Sequence, residues 1–117
     1  MTDTTDDTLW LLMTTTASEP QARELAQAAV QARLAACAQI SAIASIYRWQ
    51  GQMQQEAEWR VLFKTMARAR FALQALLTER HPYELPAIVG WPCGATLPAF
   101  AQWVVDEVQA DGLAQMP

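Results

Sequence analysis

The stretch from Cys37 to Thr65 limits the possible folds most. Met53, Ala57, Trp59, Val61 and Phe63 fall at one parity, and Gln54, Glu56, Glu58, Arg60 and Lys64 at the other, with Leu62 the exception. Period-two alternation of this kind specifies a half-buried β-strand. Upstream, Ile40, Ile43, Ile46, Tyr47 and Trp49 are strand formers, and Gly51 marks a turn. The isoleucines change parity, which predicts a bulge or bend near Ser41–Ala44. Each arm of the resulting hairpin has about 12 residues and spans about 40 Å at ~3.3 Å per residue. A compact domain of this size has a radius of gyration of only about 13 Å, so the hairpin tip must project. A lone two-stranded ribbon is marginal in water, and this one carries Tyr47, Trp49 and Trp59. Pairing with another copy of the chain would cover those rings and satisfy the edges. The alternative is a strongly curled hairpin folded back on its own sheet.

The flanking segments supply the rest of a domain. Leu9–Thr15 is short and apolar, as a buried first strand is. Ser18, with Pro20 just inside and Gln21 three residues on, predicts a capping-box helix start. Ala22, Leu25, Ala26, Ala29, Val30 and Leu34 then recur at helical spacing. A second helix is predicted over 67–80, with Ala69, Leu73, Leu76 and Leu77 inward, and His81-Pro82 stops it. A fourth strand follows over 87–91, ended by Pro92. Thr96 and Pro98 open a last helix with Phe100, Trp103, Val104 and Val108 as its stripe and Gly112 as its stop. The order is β-α-β-β-α-β plus a C-terminal helix, an α+β, ferredoxin-like split β-α-β sandwich. Both early helices cover one sheet face, and the other face is open or covered by something else. A single domain is expected over 9–112, between an acidic tail over 1–8 and a short tail over 113–117.

The 117 residues suit one domain, and the net charge of −4, with no basic run, argues against nucleic acid as a partner. Leu9–Met13 is too short to span a membrane. The opening is acidic and threonine-rich, unlike a secretory signal, so the cytoplasm is the expected compartment. Cys37 and Cys93 form no CxxC motif and are expected to be reduced, buried core residues.

His81 is the single histidine, and no GxSxG, P-loop, GxGxxG or HExxH motif is present. That inventory points away from an enzyme and from a closed zinc site. A polar constellation remains. Glu56, Glu58, Arg60 and Lys64 share a strand face, Tyr47 and Trp49 lie on the facing arm, and His81 and Tyr83 sit at a helix end. The strand charges read either as a solvated face or intersubunit ion pairs, or as one wall of a ligand cleft. Glu56 and Glu58, at i and i+2, point the same way.

Several local motifs occur together: Leu34-Ala35-Ala36-Cys37-Ala38, Ser45-Ile46-Tyr47-Arg48-Trp49-Gln50-Gly51, Gln55-Glu56-Ala57-Glu58, Lys64-Thr65 and His81-Pro82-Tyr83-Glu84-Leu85-Pro86. In this order and spacing the chain resembles the CutA1 divalent-cation tolerance family from Leu11 to Val105. The resemblance implies a ferredoxin-like subunit in a homotrimer joined through the 37–65 hairpin, with an assembly like that of the PII signalling proteins. It also implies a non-enzymatic response to divalent metals, copper being the usual association. The implied ligand cleft is lined by Tyr47, Trp49, Glu56, Glu58, Lys64 and Tyr83, with His81 as the candidate metal ligand. Some bacterial relatives use a first-strand cysteine and two histidines before the proline. Those positions fall here at Thr14 and at Arg80-His81, so Thr14 and Arg80 are not ligands and any Cu2+ binding is expected to be weak. The alternative reading is a PII-like module that binds a small anion or nucleotide at the subunit cleft.

Overall fold

The computed structural model describes residues 7–109. Most of the expected 1–8 tail, Gly112 and the expected 113–117 tail lie outside the described residues. The elements are β1 (Leu9–Thr16), α1 (Glu19–Gln31), β2 (Cys37–Trp49), β3 (Gln52–Met66), α2 (Arg70–Arg80, entered through a 3-10 turn at Ala67–Ala69), β4 (Ile88–Pro92) and α3 (Pro98–Glu107). The strands form one four-stranded sheet in the order β2-β3-β1-β4. All neighbours are antiparallel.

Strand parity divides the core in two. Leu12, Val61, Phe63, Ala38 and Ile40 point to one face, where α1 brings Ala22, Leu25, Ala26 and Ala29 and α2 brings Leu73 and Leu77. Leu9, Leu11 and Met66 point the other way. There α3 packs Phe100, Val104 and Val108 over one end of the sheet. The other end of that face has no helix over it, and Val89 and Trp91 are exposed there. This uneven cover leaves room for a cleft at the far end of β3.

The hairpin keeps an unbroken register from Cys37↔Lys64 to Trp49↔Gln52. The bulge predicted near Ser41–Ala44 is absent. The isoleucines change parity because they serve two surfaces. Ile40 packs on the helical core, whereas Ile43, opposite Glu58, lies on the other face. The turn is a two-residue loop with Gln50 at φ 53° and Gly51 at φ 77°, the left-handed pair whose twist suits a tight hairpin. Pairing of β3 with β1 begins only at Trp59. Among the described residues the segment Gln52–Glu58 therefore has β2 as its sole strand partner, and the ribbon projects as its length predicts. At its tip Ile46 and Met53 are 70% and 66% exposed.

Three local expectations are corrected. Ser18 caps α1 by accepting from the Gln21 N–H at 3.4 Å, but Gln21 Oε1 is buried without a partner, so the reciprocal half of the capping box does not form. The N-cap of α3 is Leu97, with no side-chain cap bond, because the Thr96 hydroxyl turns to the Leu97 carbonyl at 3.4 Å. Cys37 and Cys93 are unpaired but only half-buried. Helix α1 also ends without glycine. Arg33 takes the left-handed position at φ 58°, where Arg33 N–H donates to Val30 and Leu34 N–H to Ala29. These are the two bonds of a Schellman stop. Arg33 in turn donates to the end carbonyls of α3, Asp106 and Glu107, both at 3.0 Å.

Gly90 sits where an added Cβ would lie 2.7 Å from Trp10 Nε1 and 3.0 Å from the Leu11 carbonyl, whereas at Gly94 it would meet nothing within 4 Å. Gly90→Ala should therefore cost about 1–3 kcal/mol, and Gly94→Ala should stay within about 0.5 kcal/mol of the parent. Urea unfolding of the two variants checks the contrast, and equal midpoints would refute it.

Candidate functional site

The site lies where the projecting hairpin meets the loop between α2 and β4. From β3, Glu56 and Glu58 face the side of the sheet that α3 leaves uncovered, and Tyr47 and Trp49 come from β2. Pro82, Tyr83, Glu84 and Leu85 form the opposite wall of a cavity of about 750 Å3, with Thr15 and Ala17 beneath. This volume is typical of small-molecule sites.

Two side-chain ties hold the loop wall. Tyr83 donates its phenol hydrogen to Glu58 Oε2 at 2.6 Å. Burial, and then acceptance of that bond by Glu58, raise the Tyr83 hydroxyl well above the usual phenol range, so the phenol remains a donor. The second tie is His81. The Thr14 hydroxyl donates to the Ala87 carbonyl at 2.7 Å, so it accepts at its 2.9 Å contact with His81 Nε2. Nδ1 accepts from the Tyr83 N–H at 3.1 Å. These partners assign a neutral ring protonated at Nε2. Burial lowers the His81 pKa, with a hydrogen bond to the Thr15 backbone and the Glu58 charge opposing in part. Tyr47 is pushed upward by desolvation, then by the neighbouring Glu56 and Glu58 charges.

The structure thus brings Tyr47, Trp49, Glu56, Glu58 and Tyr83 to one cleft. Lys64 does not join them within the chain. It lies six positions from Glu58, about 20 Å along β3 at ~3.3 Å per residue, and its ammonium sits 5.4 Å over the Phe100 ring. His81 is close by but faces away from ligation, since both ring nitrogens are engaged. Thr14 is fully buried and serves as the anchor of His81. Arg80 is exposed at the end of α2. This trio does not fit a copper centre, and among the described residues no three His, Cys, Asp or Glu side chains are grouped for a metal. Two features escaped the sequence reading. Glu58 is a cleft candidate in the sequence, but nothing there shows that it is only 7% exposed. Glu84 adds a third carboxylate to the cleft from a loop with no periodic signal.

Among the described residues a four-stranded antiparallel sheet, three α-helices, a long internal hairpin and an acidic aromatic cleft at its root define a small α+β fold. The model of the CutA1 divalent ion tolerance protein family matches residues 10–107, and the chain belongs to that family. It is 37% identical over 95 residues to the divalent-cation tolerance protein CutA of Thermus thermophilus, covering 80% of this chain and 92% of that one. It is 34% identical over 103 residues to human Protein CutA, but covers 86% of this chain and only 58% of the human one. Among solved structures, CutA from Synechococcus elongatus superposes with a TM-score of 0.85 at 42% identity, covering 88% of this chain and 92% of that one. A CutA from Archaeoglobus fulgidus, described as periplasmic, superposes at 0.84 with 25% identity, covering 86% of this chain and 99% of that one. No described helix is long and apolar enough to cross a membrane.

Three predictions follow from the ties. Tyr83→Phe strips Glu58 of its donor and should cost about 1–3 kcal/mol in urea unfolding; an unchanged midpoint would show that the bond carries nothing. The depressed His81 pKa means the native state binds fewer protons than the unfolded chain. Its contribution is complete above the ordinary value of 6.5 and is lost as pH falls through that value. His81→Asn should therefore flatten the loss of Tm between about pH 7 and pH 5, whereas parallel curves would contradict a neutral His81. Cu(II) titrations should give the same weak heats for the parent and His81→Ala, and a loss confined to the variant would restore His81 as a ligand.

Proposed function

We propose that this CutA1-family protein supports divalent-cation tolerance as a non-catalytic homotrimer whose ligand cleft lies at the root of the 37–65 hairpin. The observation that carries the reading is the bare outer ribbon. Among the described residues Gln52–Glu58 pairs with no strand beyond β2, and Tyr47 and Trp49 are partly wet beside it. A neighbouring copy would supply the missing strand. Val89 and Trp91 on the uncovered sheet face point the same way. The strand order, with α1 and α2 on one face, supports the ferredoxin-like sandwich, and the PII-like assembly rests on fold-level analogy. Two unpaired, half-buried thiols suit a reducing cytoplasm.

The way the polar groups are spent supports a non-catalytic role. Thr14 gives its hydroxyl hydrogen to a carbonyl rather than to His81, so the pair is not a nucleophile and its base. The carboxylates of Glu56 and Glu58 can offer oxygen ligands to a hydrated divalent cation, which accounts for weak binding. The alternative of a bound anion or nucleotide is disfavoured by the cleft, whose lining holds Glu56, Glu58 and Glu84 and no Lys or Arg.

Cells lacking the gene should grow poorly at raised Cu(II), and the parent chain should restore growth. Met53→Asp places charge at an exposed tip position outside both the core and the cleft lining. That variant should fail to restore growth, and full restoration by it would refute the need for assembly.

A further inference from the structure

Glu58 presents an unbalanced charge. It is more than nine-tenths buried, and among the described residues its only side-chain hydrogen-bond partner is the neutral Tyr83 phenol at Oε2. No Lys, Arg or His nitrogen among the described residues makes a salt bridge to either oxygen. Ion pairs in this fold lie elsewhere, at Arg23–Glu19 and Arg68–Asp7. Arg60, next on the same strand face, is exposed and does not line the cavity. The neutral His81 ring spends both nitrogens on other groups. Buried carboxylates are normally paired with a cation, so the missing partner is informative.

The walls indicate which cation would fit. Tyr47, Trp49 and Tyr83 present ring surface to the same cavity as Glu56, Glu58 and Glu84. A small metal ion holds its water shell tightly and gains little from indole and phenol faces. An alkylammonium gains from both kinds of wall. Its N–H groups reach carboxylate oxygens as charge-assisted hydrogen bonds, and its cationic head and attached methylenes lie against aromatic rings. The cavity volume of about 750 Å3 leaves room for a molecule well beyond a bare ion.

We infer that the cleft is a binding site for a small organic cation carrying N–H donors, a protonated alkylamine or diamine, with Glu58 as the central counter-ion and Tyr47, Trp49 and Tyr83 as its aromatic walls. This deepens the reading of the cleft as the ligand site given above and does not depend on metal tolerance.

The test is titration calorimetry of the full chain in EDTA-containing buffer with n-butylammonium, 1,4-diammoniobutane and, as the matched anion, sodium butyrate. Both amines should bind and butyrate should give no heat. Glu58→Gln keeps the side-chain shape and the acceptor for Tyr83 but removes the charge, and should weaken amine binding at least tenfold. Glu24→Gln, on the outer surface of α1, should leave it unchanged. The Trp49 indole N–H resonance should shift with the amine in the parent, which places the ligand. Equal amine affinity in the parent and Glu58→Gln, butyrate binding as tightly as the amines, or no amine binding at all would each overturn the inference. Cells that keep cation tolerance while the purified chain binds no amine would overturn this inference alone and leave the tolerance reading intact.

Discussion

The unbroken pairing of β2 with β3 governs the rest of the structure. A constant register through thirteen residue pairs leaves no bulge to turn the ribbon back, and a tight two-residue loop closes it. β1 covers only the inner part of β3, so the outer part stands apart with one hydrogen-bonding edge of each strand free. Backbone groups on such an edge can turn to water, but Ile46, Met53 and Trp49 gain nothing from it. This single length mismatch produces both the exposed apolar ribbon and the angle in which the cleft forms.

The cleft depends on a loop that has little secondary structure of its own. His81 leaves the end of α2 in an extended conformation, and Pro82 keeps the helix from continuing. The loop is then fixed from two sides. Thr14, on the central strand β1, holds the imidazole, and Glu58, on the projecting part of β3, holds Tyr83. The ring of His81 also lies 5.0 Å from that of Tyr83. A histidine and a tyrosine that look like ligand residues in sequence thus serve mainly to position the wall. The groups facing the ligand space are the two strand carboxylates, Glu84 and the rings.

Much of this was legible in the residues. Period-two alternation placed β3, helical spacing placed α1 and α2, and His81-Pro82 marked the end of α2. The sequence also separated Glu56 and Glu58 from the core parity. It did not reveal that Glu58 is buried, because burial there comes from a loop 25 residues away in the chain folding over the strand. Nor did it show Lys64 withdrawn to Phe100, since strand parity gives the face of a residue but not its distance along it. The parity change of Ile40, Ile43 and Ile46 misled for a related reason. It marks apolar demand on two faces, and a bulge is only one way to meet such demand. The role of Thr14 as the acceptor for His81 depends on which way a hydroxyl hydrogen points, a choice made by the Ala87 carbonyl across β1 and β4.

The central claim is that the overlong ribbon finds its missing neighbour on sister chains. Sedimentation equilibrium at micromolar concentration, on the parent and on Met53→Asp, addresses it most directly. The account predicts three times the chain mass for the parent and a shift toward the single-chain mass for the variant. A parent that sediments as a stable single chain would contradict it.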